Sequence, residues 1–270
     1  MRRAWRFVLE LARRRRSDRA VLVLAPHPDD ETIGLGGCLG RLPSARVLFL
    51  TDGAPSERAL WGVRATSREG YARLRAREAH GALALCGLGR GRVAFAPGRD
   101  LETARALVPL AEHVLARARA YGCGLLVTTP YEGGHPDHDG AALVASLVRR
   151  ASRGAIDVVE MASYHWTGGA LVTQRFPPDG CRAVAVPLGA ADRARKRAML
   201  ERYHSQRAVL RAFTAGDVEW LRAAPRYDFG APPRAVTVLY ERPGWPVCCE
   251  GWRERARAAE RARLAAGAPA

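Results

Sequence analysis

Ala20-Val21-Leu22-Val23-Leu24-Ala25-Pro26-His27-Pro28-Asp29-Asp30-Glu31 is the stretch on which the reading of the whole chain turns. Its apolar run, residues 20–24, is short and bounded, the pattern of a strand buried on both faces of a parallel sheet. Metal-ligand chemistry follows at once. His27 offers an imidazole, Asp29 and Asp30 offer carboxylates, and Pro26 and Pro28 stiffen the backbone that displays them. Glu31 and Thr32 then open a helix whose glycines would let it lie close to the strand. Taken alone, an acidic turn before a helix is an ordinary cap.

A second stretch changes that reading. Gly124-Leu125-Leu126-Val127-Thr128-Thr129-Pro130 is another buried-strand pattern, and it runs into Tyr131-Glu132-Gly133-Gly134-His135-Pro136-Asp137-His138-Asp139. Two strands about a hundred residues apart thus each deliver a His/Asp cluster from the carboxyl end. In an open parallel α/β sheet, ligands bind outside those ends where the strand order reverses. The expectation is an open α/β fold, a mostly parallel sheet with helices on both faces. If the two strands flank the reversal, their clusters meet over one crevice.

Composition narrows the function classes. At 270 residues and 48% hydrophobic, the chain can bury a large core, and no linker divides it. The reading is an N-terminal basic helix over 1–19 and a single domain over 20–270, of which 211–270 is the more variable section. The net charge of +16 suggests polyanion binding, yet Lys196 is the only lysine and the arginines are scattered without interleaved aromatics. That pattern argues against a specific nucleic-acid partner. Cys38, Cys86, Cys123, Cys181, Cys248 and Cys249 form neither a disulfide framework nor a zinc ribbon. No apolar run approaches the roughly 20 residues of a membrane span, and no secretory leader is evident, so the expected compartment is cytoplasmic. Residues 4–16 read as a helix with Trp5, Val8, Leu9 and Ala12 on one face and arginines at its end. It is either docked on the domain or in peripheral contact with an anionic membrane.

Periodicity places the remaining elements. Helices are expected over 65–87, 101–121, 141–150, 190–203 and beyond Gly251, and strands over 46–51, 92–96, 157–164, 181–187 and 235–240. Arg75 and Glu78, three apart on a helix, can pair. The candidate substrate-binding residues are Arg75, Asp100, Tyr131, Trp166 and Arg226. Trp166 lies in a loop read as a sugar-binding wall, and Arg226 in the loop 224–230.

A catalytic zinc site has three protein ligands and an open position for water. His27, Asp30 and His138 supply two imidazoles and a carboxylate without any cysteine, a set that Fe2+ or Co2+ also accepts. Asp29 is placed to take a proton from the bound water as general base. His135 is placed to protonate a leaving amine or to stabilise an oxyanion. Asp137 either orients and charges that imidazole or fixes the tautomer of a ligand histidine.

With these residues in place, the chain resembles the PIG-L/LmbE-like family of metal-dependent N-deacetylases. The resemblance rests on Pro26-His27-Pro28-Asp29-Asp30-Glu31 and His135-Pro136-Asp137-His138, with echoes at Thr51-Asp52-Gly53, Arg75/Glu78 and Ser205-Gln206. It implies a Rossmann-like sheet, zinc on His27, Asp30 and His138, Asp29 as base, His135 as acid or oxyanion stabiliser, and an N-acetylglucosaminyl-type conjugate as substrate. Some sugar-deacetylating members carry a tyrosine where this chain has Gly133, with Tyr131 out of register. The alternatives are a zinc amidase for a non-sugar N-acyl or thiol-conjugate substrate, and a basic nucleic-acid or membrane-surface protein with an idle site.

Overall fold

The apolar runs become the middle of a seven-stranded sheet in a computed structural model that describes residues 2–242, 245, 247–262 and 264. The first half of the chain supplies α1 (Arg2–Ala12), β1 (Val21–Ala25), α2 (Asp30–Leu39), β2 (Ala45–Thr51), α3 (Arg68–Ala84), β3 (Val93–Gly98), α4 (Leu107–Ala120) and β4 (Leu125–Thr128). Next come α5 (Pro136–Ala151), β5 (Asp157–Met161), β6 (Tyr164–Thr167), β7 (Ala170–Thr173) and β8 (Val184–Pro187). The chain continues with α6 (Ala190–Leu200), α7 (Arg207–Leu210), β9 (Val218–Ala223) and α8 (Cys249–Arg261). The sheet order is β3-β2-β1-β4-β5-β9-β8, parallel from β3 to β5 and antiparallel across β9 and β8. Mostly parallel strands with helices on both faces are the expected fold class. The order reverses beside β1, where Val23 pairs with Val47 of β2 on one side and Val127 of β4 on the other. The two motif-bearing strands are therefore neighbours.

Successive strand residues face opposite sides, so an uninterrupted apolar strand feeds two cores. Leu22 and Leu24 join Leu48, Leu50 and Leu126 beneath α4, α5 and α8. Val21, Val23 and Ala25 face α1, α2, α3 and α6 instead.

The N-terminal helix stops at Ala12, and its buried side is Ala4, Phe7, Val8 and Leu11, packed on β8 and β9. Leu9 is exposed, and Trp5 and Ala12 are only half-buried, so the predicted face is rotated from the one used. Burying Phe7, Val8 and Leu11 contributes roughly 1.5–3 kcal/mol each, and their apolar area is spent inside the protein. Segment 1–19 is thereby continuous with the domain core. Among the described residues, no helix is long and apolar enough to cross a membrane. All six cysteines are unpaired.

Local chemistry moves several predicted boundaries. α5 begins at Pro136, inside the second motif, because proline suits the first helical position and His135 Nδ1 accepts the Asp137 N–H at 3.2 Å. The helix predicted from residue 101 begins at Leu107, after a short 3-10 turn at Thr103–Arg105. The strand predicted over 157–164 ends at Met161, and the supposed loop around Trp166 is the β6–β7 hairpin, turned by Gly168 and Gly169 at φ 57° and 80°. No strand forms over 235–240; Thr237 makes one bridge to Trp166, and Leu239–Glu241 is a 3-10 turn. The last strand of the sheet is β9, which the hydropathy pattern did not announce. Its Glu219 and Arg222 are 3% and 0% exposed, held by Lys196 at 2.7 Å and Glu160 at 2.7 Å. The section 211–270 therefore supplies β9 and α8 to the core. The predicted tail helix runs to Arg261, and residues 263 and 265–270 lie outside the described part.

Candidate metal centre

Loops leaving the carboxyl ends of parallel strands deliver the site. β1 presents His27, Asp29 and Asp30, β3 presents Asp100, and β4 leads into His135 and His138. These six residues and Arg75 of α3 line one cavity of about 450 Å³. Its apolar wall includes Ile33, Leu60, Tyr164, Val209, Phe213 and Trp245.

Three donor atoms converge at its floor. Asp30 Oδ2 lies 3.1 Å from His27 Nδ1 and 3.3 Å from His138 Nε2. The far nitrogen of each ring is engaged elsewhere. His27 Nε2 is 3.0 Å from Asp137 Oδ2 and 3.3 Å from Asp100 Oδ1, and His138 Nδ1 is 3.2 Å from Ser163 Oγ. A metal bound there would take the Nδ1 lone pair of His27 and the Nε2 lone pair of His138, each ring then donating outward from its other nitrogen. Ring nitrogens of His27, His135 and His138 also lie within 4.8 Å of one another, a spacing that could hold a metal ion. Two imidazoles and a carboxylate, all buried, suit zinc.

The surrounding charges act on each group. Burial opposes ionisation of Asp30, but His138 and His27 outweigh it and hold its carboxyl well below the usual range. Burial likewise works against a charged His27, while Asp100, Asp137 and Asp30 favour it and lift its pKa. For Asp29, burial raises the pKa, Arg75 pulls it down and Asp30 pushes it up again, leaving a net rise. Burial, then the neighbouring His27, lowers His135 to about 3, so that its imidazole is neutral.

Asp29 is the cap of α2 at φ 144°, and its carboxylate is 3.4 Å from Arg75 Nη2. Arg75 also donates to Pro28 O at 2.7 Å. The predicted Arg75/Glu78 pair is not formed, since Glu78 accepts from Ser205 N and Oγ at 2.9 and 2.5 Å. Room for the guanidinium comes from Gly53, at φ 61°, where a Cβ would stand 2.7 Å from Pro28 Cδ and 3.0 Å from Arg75 Nε.

His135 spends Nδ1 on the Asp137 amide, which puts the proton of the neutral ring on Nε2. The Asp137 side chain does not orient His135. Its Oδ2 takes the His27 contact and the Leu101 N–H at 2.6 Å, and its Oδ1 takes Thr103 N and Oγ1 at 3.2 and 2.6 Å.

Three predicted substrate contacts lie elsewhere. Tyr131 is buried against Trp252 at 5.4 Å and donates to Ala231 O at 2.7 Å. Together with Arg226 it lines a separate cavity of about 170 Å³. Trp166 lies under the Arg242 guanidinium at 3.9 Å, on the hairpin and outside the large cavity. The wall residue the sequence reading missed is Tyr164, whose ring packs edge-on to His138 at 5.0 Å. Its position three residues beyond β5, at the same sheet edge, was the available signal. Trp245, 5.2 Å from His135, and Thr103 carried none.

Residues 22–151 match the family model described as PIG-L: GlcNAc-PI de-N-acetylase. Among solved structures, a deacetylase triple mutant of the teicoplanin biosynthetic pathway aligns at TM-score 0.60 and 21% identity, over 77% of this chain and 98% of that one. N,N'-diacetylchitobiose deacetylase from Pyrococcus horikoshii aligns at 0.50 and 17%, over 83% and 93% of the two chains. The 4-carboxy-2-hydroxymuconate hydratase from Pseudomonas putida aligns at 0.50 and 16%, over 78% and 98%. Likeness at these identities concerns the fold, which hosts more than one reaction. A search of curated protein sequences gives no significant match.

Proposed function

We propose that this chain, whose residues 22–151 match the PIG-L family model, is a zinc-dependent hydrolase that removes the N-acetyl group from an amino sugar carried on a conjugate. The observation that carries the reading is the convergence of His27 Nδ1 and His138 Nε2 on Asp30 Oδ2 in a cavity that Asp29 and His135 also line. Support for an N-acetylglucosaminyl substrate comes from the family description and from two structures of this fold, a deacetylase of the teicoplanin biosynthetic pathway and an N,N'-diacetylchitobiose deacetylase.

His27, Asp30 and His138 would hold the metal, which when bound supplies a Lewis acid and lowers the pKa of water toward about 7. The chain's own groups do the rest. Asp29 accepts the proton of the attacking water at its carboxylate, which Arg75 keeps in place. His135, neutral with its proton on Nε2, donates a hydrogen bond to the oxygen on which negative charge develops. Asp137 fixes the His27 ring through Nε2. The apolar wall of Tyr164, Phe213 and Trp245 excludes bulk water from the reacting amide.

The test is acetate release from a panel of N-acetylglucosamine conjugates and non-sugar N-acetyl amides, using zinc-loaded wild type and Asp29→Asn. The expected result is release from the sugar conjugates and a loss of about 10²–10⁴-fold in the variant. Release from non-sugar amides alone would move the substrate to the amidase alternative; release unaffected by Asp29→Asn would contradict the mechanism.

A further inference from the structure

We infer that Glu31 and Tyr203 are positioning residues that hold the Asp29 backbone in its unusual conformation and thereby aim the carboxylate that the proposed hydrolase uses as base; the inference rests on that reading. Asp29 sits at φ 144° and ψ −28°, a region that L-residues seldom occupy. Such a conformation costs of order 1–3 kcal/mol and persists only where the surroundings impose it. On its carbonyl side, Asp29 accepts the Thr32 and Ile33 N–H groups, both at 2.9 Å, as any residue preceding a helix would. Its own N–H is what is unusual. It donates to Glu31 Oε2 at 3.1 Å, a carboxylate two residues ahead in the first turn of α2 that folds back over the cap.

Glu31 is in turn held by hydroxyls. The residue is fully buried, and its Oε1 accepts from Thr32 Oγ1 and from Tyr203 OH, each at 2.5 Å. Tyr203 is fully buried, 172 residues further along the chain, in the turn after α6. That turn is pinned to α3 by Ser205 on Glu78 and by Gln206 Nε2, which donates to Tyr71 OH at 2.8 Å. A single hydroxyl therefore connects a rigid distant segment to the backbone of the base, through one carboxylate that itself reaches no substrate. Glu31 does not line the large cavity; Asp29 does. Losing the Tyr203 hydroxyl would free one side of that carboxylate, weaken its grip on the Asp29 N–H and let residue 29 relax toward ordinary φ. The carboxylate would then swing off the reacting geometry.

The experiment measures acetate release and zinc content for wild type, Tyr203→Phe, Glu31→Gln and Glu31→Ala, with hydrogen exchange at the Asp29 amide read by NMR. Tyr203→Phe is expected to lower kcat about tenfold at unchanged KM and zinc content, and to reduce protection of the Asp29 N–H. Glu31→Gln keeps an oxygen for that N–H and should stay within about tenfold of wild type, whereas Glu31→Ala should lose about 100-fold. A Tyr203→Phe protein with wild-type kcat and wild-type protection would overturn the inference. So would Glu31→Gln as inactive as Glu31→Ala, which would make Glu31 a proton carrier instead. If zinc-loaded wild type releases acetate from nothing, the hydrolase reading fails by itself, and the amide exchange of Tyr203→Phe still decides whether this hydroxyl holds residue 29.

Discussion

The parallel half of the sheet and its antiparallel flank are built on opposite principles. In the middle of the parallel half, β1 and residues 125–127 of β4 are apolar on both faces, and polar chemistry follows in the loops at their carboxyl ends. In β9 the polar chemistry is inside the strand. Arg222, fully buried, bonds Glu160 at 2.7 Å and Asp179 at 2.9 Å and donates to Tyr227 OH at 2.9 Å. Glu219 bonds Lys196 and also accepts the Gly37 and Cys38 amides of α2 at 2.8 and 3.0 Å. The lesson is a division of labour. One half displays reactive groups from a plain scaffold, and the other uses paired charges to fix where the helices behind the site lie.

That contrast can be broken by substitution. Arg222→Met leaves Glu160 and Asp179 without their buried partner and is expected to destabilise the fold by about 3–5 kcal/mol in urea unfolding; a change under about 1 kcal/mol would mean that the flank does not depend on its charges. Next in size, Asp137→Asn disturbs the His27 ring without removing a metal ligand. Zinc affinity, measured by competition with a chelator, is expected to fall about 10–100-fold, with a loss of about 1–3 kcal/mol in unfolding free energy because the new amide faces the Leu101 or Thr103 N–H. Smallest are Trp166→Ala and Arg226→Ala, which lie outside the large cavity. Their KM for an N-acetylglucosamine conjugate should match wild type within about twofold, and a larger rise in KM would return the hairpin or the 224–230 loop to the substrate path.

How much of this was legible follows from the same contrast. The strands at 21–25 and 125–128 announce themselves because burial on both faces demands continuous apolar sequence, and their neighbour relation follows from where ligands bind in such sheets. His27, Asp29 and Asp30 were readable because they stand within five residues of the end of β1, and His135 and His138 because they bracket the start of α5, the helix that follows β4. β9 was not, since Val218-Glu219-Trp220-Leu221-Arg222 hides its inward positions under charges whose partners are far away in sequence. The failed strand at 235–240 is the converse, an apolar run that packs without finding an edge to pair with beyond Thr237. Tyr131 looked like a sugar contact because it sits beside the second motif, yet its ring points into the aromatic cluster with Phe229 and Trp252. Sequence proximity does not set side-chain direction, and only packing decides it.

The central claim is that two motifs about a hundred residues apart hold one metal ion between them. The most direct measurement is the zinc content per chain after chelation and reconstitution, for wild type, His27→Ala and His138→Ala, on protein shown to be folded. One zinc in wild type and none in either variant is the predicted result. A wild type that binds none, or a His138→Ala protein that keeps its full equivalent, would contradict the account.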